Sequence, residues 1–209
     1  MLGATLTVDQ YLERLKSELD RLDRGEIRHM ADLIYQAWEA DRFVFIFGNG
    51  GSGTTASHMC EDLGKSTLRE RDLHDESRKR LKVLSLTDNV GWIMALGNDV
   101  GYDQIFVQQL MNFGGEGDLV LAISGSGNSP NVLRAVEWAN RHGLITFGLT
   151  GYDGGQLRRL VQAGLHVPLH DMGMVESIHL CVFHWVLNDV YARINGEGRY
   201  ARSAAQIAR

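Results

Sequence analysis

Apolar positions along this chain recur at two periods. Thr7, with Gln10 three residues on, has the form of a helix N-cap, and Tyr11, Leu12, Leu15, Leu19 and Leu22 follow at helical spacing. Gly25 interrupts, and a second helical face runs through Ile27, Met30, Leu33, Ile34, Ala37 and Trp38. Five consecutive apolar residues, Phe43 to Phe47, are too few for a helix and predict a buried strand. Four more short apolar runs predict strands at Val83–Leu86, Asp118–Ile123, Leu144–Leu149 and Leu165–Leu169. Between them, helices are predicted from about Thr54, over Asn89–Leu96, onward to about Phe113, over Asn131–Arg141 and over Gln156–Gln162, and a long one closes the series at Met174–Ile194. The segment Lys65–Lys82 is dense in Arg, Asp and Glu and reads as a solvated connection.

Strands alternating with helices predict an α/β fold: a five-stranded parallel sheet, doubly wound. In the flavodoxin-like order 2-1-3-4-5, strands one and three are neighbours, and the crevice beyond their C-terminal ends is the switch point where ligands bind. One domain spans 1–209: N-terminal helices over 1–40, the α/β core over 41–195, and a tail over 196–209 expected to be mobile. The two leading helices lie outside the βα repeat and either cover a sheet face or meet a partner subunit.

Composition narrows the classes. At 209 residues and 44% apolar content, the chain can bury one good core. A net charge of −5 argues against nucleic acid as partner, and no apolar run reaches membrane-spanning length. The amphipathic start is no signal peptide, and two cysteines in helical patterns make no disulfide scaffold, so a cytoplasmic location is expected.

The chemistry sits in two turns. After the first strand come Gly48, Asn49, Gly50, Gly51, Ser52 and Gly53, leading into a helix with His58 and Asp62 one turn apart. After the third strand come Ser124, Gly125, Ser126, Gly127, Asn128 and Ser129, then Pro130 at the first helical position. A strand entering a helix through such a turn exposes backbone N–H groups backed by the helix dipole, which is an anion site. Gly48, Gly50 and Gly53 formally spell a dinucleotide fingerprint, but the acid it requires about 20 residues on falls within the polar segment. A P-loop fails because Met59 stands where its first glycine belongs. Two serine-rich turns on adjacent strands suit one phosphate monoester.

The ordered blocks GNGGS with His58, GNDVG at Gly97–Gly101, the Ser124–Ser129 spacing, TGYDGG, and a final helix with an acid and two histidines resemble the SIS (sugar isomerase) family, most closely its phosphoheptose isomerase branch. The resemblance implies that Asn49, Gly50, Gly51 and Ser52 line the sugar-phosphate site. It implies further that Asn98 and Asp99 bind the sugar, and that Ser124, Gly125, Ser126 and Ser129 cradle the phosphate. His58, Asp62, Glu176 and His184 match positions that ligate zinc in family members; Asp62 and His184 also match the acid/base pair, and Glu176 a substrate position. A homotetramer with shared active sites is implied as well.

The chain departs from the family twice, with Asp62 in place of Glu and Glu176 in place of Gln. Asp sets its carboxylate about an ångström further back, and Glu176 adds a negative charge to the metal set. The expected reaction is aldose–ketose interconversion of a seven-carbon sugar phosphate through an enediol, with Asp62 as base and His184 as acid or the reverse. The alternative is a non-catalytic SIS protein that binds a phosphosugar and acts through a protein partner, as a regulator of replication initiation in the family does. His179, in the same apolar helix as His184, reads as a core residue, and Trp92, Trp138 and Trp185 as core or interface.

Overall fold

The computed structural model describes residues 1–201. Helices α1 (Val8–Asp20) and α2 (Arg24–Glu39) precede β1 (Phe43–Gly48) and α3 (Gly50–Lys65). There follow β2 (Lys82–Ser85), α4 (Val90–Asp99), α5 (Val107–Phe113), β3 (Leu119–Ser124) and α6 (Pro130–Arg141). The last elements are β4 (Ile145–Thr150), the single turn α7 (Leu157–Leu160), β5 (Ala163–His166) and α8 (Met172–Asn195). All five strands are parallel in the order β2-β1-β3-β4-β5, the flavodoxin-like order expected from the sequence.

Helices cover both faces. On one, Ile34, Met59 and Phe183 of α2, α3 and α8 pack against Val44, Leu121 and Phe147. On the other, Phe106, Leu110 and Val136 meet Phe45, Phe47 and Val120. Of the two leading helices, α2 serves the sheet and buries Met30, Ala31, Leu33, Ile34 and Ala37, while α1 packs on α8.

Among the boundaries that differ from expectation, three have plain local reasons. Gly25 does not break the helices. It lies in the first turn of α2, because Asp23 caps the N–H groups of Gly25 and Glu26 at 2.7 and 3.3 Å. The fifth strand sits earlier than Leu165–Leu169, since Pro168 has no N–H to give the ladder, while Gly164 lies so close to the Gly148 carbonyl that no side chain fits. α8 starts two residues early because Asp171, not a later residue, accepts from the Met174 N–H at 3.0 Å. The tail begins with docked residues: Arg69 pairs with Glu197 at 2.6 Å, and Tyr200 donates to the buried Asp189 at 2.9 Å. Residues 202–209 lie outside the described residues.

Candidate active site

The β1 and β3 strands pair through Gly48 opposite Ile123, so the turns that follow them emerge side by side. Asn49 and Asn131 tie them together with reciprocal amide hydrogen bonds of 2.9 Å each. Asn49 adds no side-chain cap to α3, which leaves the first N–H groups of that helix uncapped by their own neighbour. Ser52 and Ser124 are buried at the two turn bases, 5% and 4% exposed, where an unoccupied hydroxyl is costly unless something bonds to it. Ser124 Oγ lies 3.3 Å from Ser129 Oγ and accepts from the Gly127 N–H at 3.2 Å. Gly127 takes φ +66° and abuts the Gly154 carbonyl, so the cradle is braced from behind by the TGYDGG turn. Met172, at the start of α8, fills the space a side chain on Gly125 would need.

α3 and α8 pack along each other and carry the titratable groups. His58 and Asp62, one helical turn apart, approach to 3.3 Å between Nε2 and Oδ2. His184 Nε2 comes within 3.9 Å of the same oxygen, and its ring meets His58 edge-on with centroids 5.2 Å apart. The Nδ1 of His184 lies 2.9 Å from the Leu180 carbonyl. As donor to that carbonyl it leaves the Nε2 lone pair facing Asp62, the tautomer a metal ligand or proton acceptor needs. One atom from each of the three residues lies within 4.8 Å of the others. Ligands about 2 Å from a tetrahedral zinc stand about 3.3 Å apart, so the trio fits three corners of such a site.

Glu176 stands apart from the trio. Its carboxylate lies against Gly51 at the head of α3, in the space a Cβ there would take. Eight helical residues separate it from His184, about 12 Å along the axis, so both cannot reach one ion from the same straight helix. Asn98 and Asp99 are the last residues of α4 and exposed, bonded to each other at 2.8 Å. Their segment reaches the first turn through Tyr102, whose hydroxyl donates to Asn49 Oδ1 at 3.1 Å. Tyr102 and Asn131 were not legible as site residues, although both stand within or beside the blocks that carry the motif. His179 is buried, 1% exposed, with Nε2 3.3 Å from the Thr150 carbonyl, and burial drives its pKa down to about 4.

Comparison with known proteins decides the family. The SIS domain profile matches residues 9–151. The chain belongs to the SIS domain family. Over 186 residues this SIS protein is 36% identical to the phosphoheptose isomerase of Geobacter sulfurreducens, covering 88% of this chain and 92% of that one. Among solved structures it is similar to a phosphoheptose isomerase from Francisella tularensis, with 29% identity, a TM-score of 0.78, and 88% and 95% of the two chains covered. The phosphoheptose isomerase of Neisseria gonorrhoeae is similar at 28% identity and a TM-score of 0.76, over 85% of this chain and 91% of that one. These relatives place the SIS chain in the phosphoheptose isomerase branch, as its motif order implies.

Proposed function

We propose that the protein is a phosphosugar isomerase converting sedoheptulose 7-phosphate to a heptose 7-phosphate, with the Ser/Gly turns as phosphate cradle and Asp62 and His184 as the proton-moving pair. Two observations carry this reading: the serine-lined turns after β1 and β3 emerge side by side, and α3, which opens at the first of them, brings His58 and Asp62 to meet His184 of α8.

Backbone N–H groups and the Ser52, Ser124, Ser126 and Ser129 hydroxyls hold the phosphoryl group, while Asn49, Gly50 and Gly51 form the floor under the sugar. Asn98 and Asp99 take sugar hydroxyls. The Asp62 carboxylate removes the C1 proton of the ketose as the C1–C2 double bond forms, and His184, in its imidazolium form with Nδ1–H kept on the Leu180 carbonyl, gives its Nε2 proton to the carbonyl oxygen. The resulting enediol returns to the aldose when a proton is delivered to C2 and the O1 hydroxyl gives up its own. The net change is one C–H broken, one C–H formed and no redox. Asp62, 16% exposed, is the screened member of the trio, which favours it as the base. With its roles exchanged the pair performs the reverse reaction.

His58, Asp62 and His184 also suit a divalent ion, for which zinc is the proposed identity; Glu176, seated on Gly51, stands outside that set. Such an ion, when bound, polarises the carbonyl and sugar hydroxyls. We place the protein in the cytoplasm as a homotetramer. Among the described residues no helix is long and apolar enough to cross a membrane, and Val90 and Met94 of α4 stand 62% and 69% exposed on an otherwise apolar helix.

Purified protein mixed with sedoheptulose 7-phosphate, with and without zinc, and followed by NMR is expected to accumulate aldose. No turnover in either condition, with the phosphosugar still raising the melting temperature, would instead make it a binding protein that acts through a partner.

A further inference from the structure

A cavity of about 430 Å³ lies along the edge strand β5, between the α1–α2 corner and α7. It is separate from the His58–Asp62–His184 trio and shares none of the cradle serines. Most of its polar wall is already engaged. Arg21 pairs with Glu18 at 3.2 Å, and Asp23 caps α2. His166 Nδ1 meets the Thr150 hydroxyl at 3.1 Å.

Three groups are left over. The Arg158 guanidinium has no carboxylate partner among the described residues. His166 keeps its Nε2. Glu26 Oε2 is buried and accepts no hydrogen bond. A buried carboxylate oxygen without a donor forfeits the hydrogen bonds it had in water, so the arrangement calls for a donor from outside the protein. A cation and an imidazole at one wall call for an anion, and the volume falls in the range of small-molecule sites. An apolar occupant would leave all three unpaired.

We propose that this cavity is a second ligand site, taking a phosphate monoester of mononucleotide size: the phosphate on Arg158 and His166, an N–H donor of the ligand's body on Glu26. α7 joins the cavity to the cradle, since the Leu157 N–H donates to the Gly127 carbonyl at 2.9 Å and the Gln156 N–H to Asn128 Oδ1 at 3.1 Å. The cavity thus sits directly behind the phosphate turn.

The probe is GMP, whose guanine edge offers two adjacent N–H donors to a carboxylate, with inorganic phosphate beside it. Full-length protein carrying Ser126→Ala, to weaken the cradle, and ¹⁵N-labelled histidine is titrated by NMR, with the His166 signal assigned through His166→Gln. GMP is expected to move the His166 ring signals saturably. Arg158→Gln should weaken that response at least tenfold for both probes, and Glu26→Gln should weaken it for GMP while sparing inorganic phosphate. Both variants are compared at matched thermal unfolding midpoints. If millimolar GMP moves only the His58 and His184 signals, or none, the second site does not exist and a water serves Glu26. That result leaves the isomerase reading untouched.

Discussion

Asp62 faces two imidazoles with a single carboxylate oxygen, so its length matters more than its charge. One methylene fewer than glutamate draws the oxygen back along α3, yet the 3.3 and 3.9 Å approaches show that α8 comes near enough to meet it. Asp62→Asn keeps the shape and removes the anion shared by both rings. Zinc affinity, read by competition with a chromogenic chelator, is expected to fall about 10- to 100-fold, the usual cost of disturbing such a set. An unchanged affinity would move the metal site elsewhere. Gly51 is the second decisive position, because the Glu176 carboxylate occupies the place of its missing side chain. Gly51→Ala is expected to lower stability by about 1–3 kcal/mol through overpacking, and Glu176→Ala in the same chain to restore most of it in urea titrations. His58 and Asp62 could be paired from their spacing alone. The seat of Glu176 could not, since its contact with Gly51 joins residues 125 positions apart and has no periodic signature.

Among the elements, α8 integrates the site: Met172 closes over Gly125, Glu176 lies on Gly51 and His184 completes the trio. Its start is fixed by Asp171, which accepts from the Met174 N–H at 3.0 Å and the Leu2 N–H at 2.5 Å. Those backbone donors hold the Asp171 carboxyl below the usual carboxylate range. A depressed carboxylate pKa stabilises the fold above the unfolded value near 3.9, and the contribution fades as pH falls through the folded value. Asp171→Ala is expected to cost about 1 kcal/mol at neutral pH, with the difference from wild type shrinking below pH 4 in denaturant titrations. Helix and strand types were legible throughout, because apolar periodicity reports burial on one or both faces. The ends were less so: caps such as Asp23 and Asp171 and the Pro168 break act within two or three residues and shift boundaries without altering the pattern.

For the whole molecule, the 2-1-3-4-5 strand order was readable from alternation and turn composition, and it is the order that sets β1 beside β3 and brings the two anion turns together. The second cavity was not readable, because Arg21, Glu26, Arg158 and His166 come from four separate segments and only β5's place at the sheet edge gathers them. Global stability carries the mark of His179, which lies between the sheet and α8 with a pKa near 4. Its folded pKa is depressed below the unfolded value of about 6.5, so acid favours the unfolded chain: the fold loses stability as pH drops from about 6.5 to 4 and is unaffected above. His179→Gln is expected to flatten the unfolding midpoint across that window, and an unchanged slope would assign the acid sensitivity to other groups. The most direct measurement is the steady-state kinetics of sedoheptulose 7-phosphate isomerisation by the wild-type protein, Ser126→Ala and His184→Ala. Turnover by the wild type is expected, with Ser126→Ala raising KM about tenfold at little cost in kcat, and His184→Ala lowering kcat by about 10²- to 10⁴-fold with the phosphosugar's thermal shift retained. A wild-type protein that does not turn the sugar over, or a Ser126→Ala variant with an unaltered KM, would contradict a shared phosphate cradle serving this His–Asp cluster.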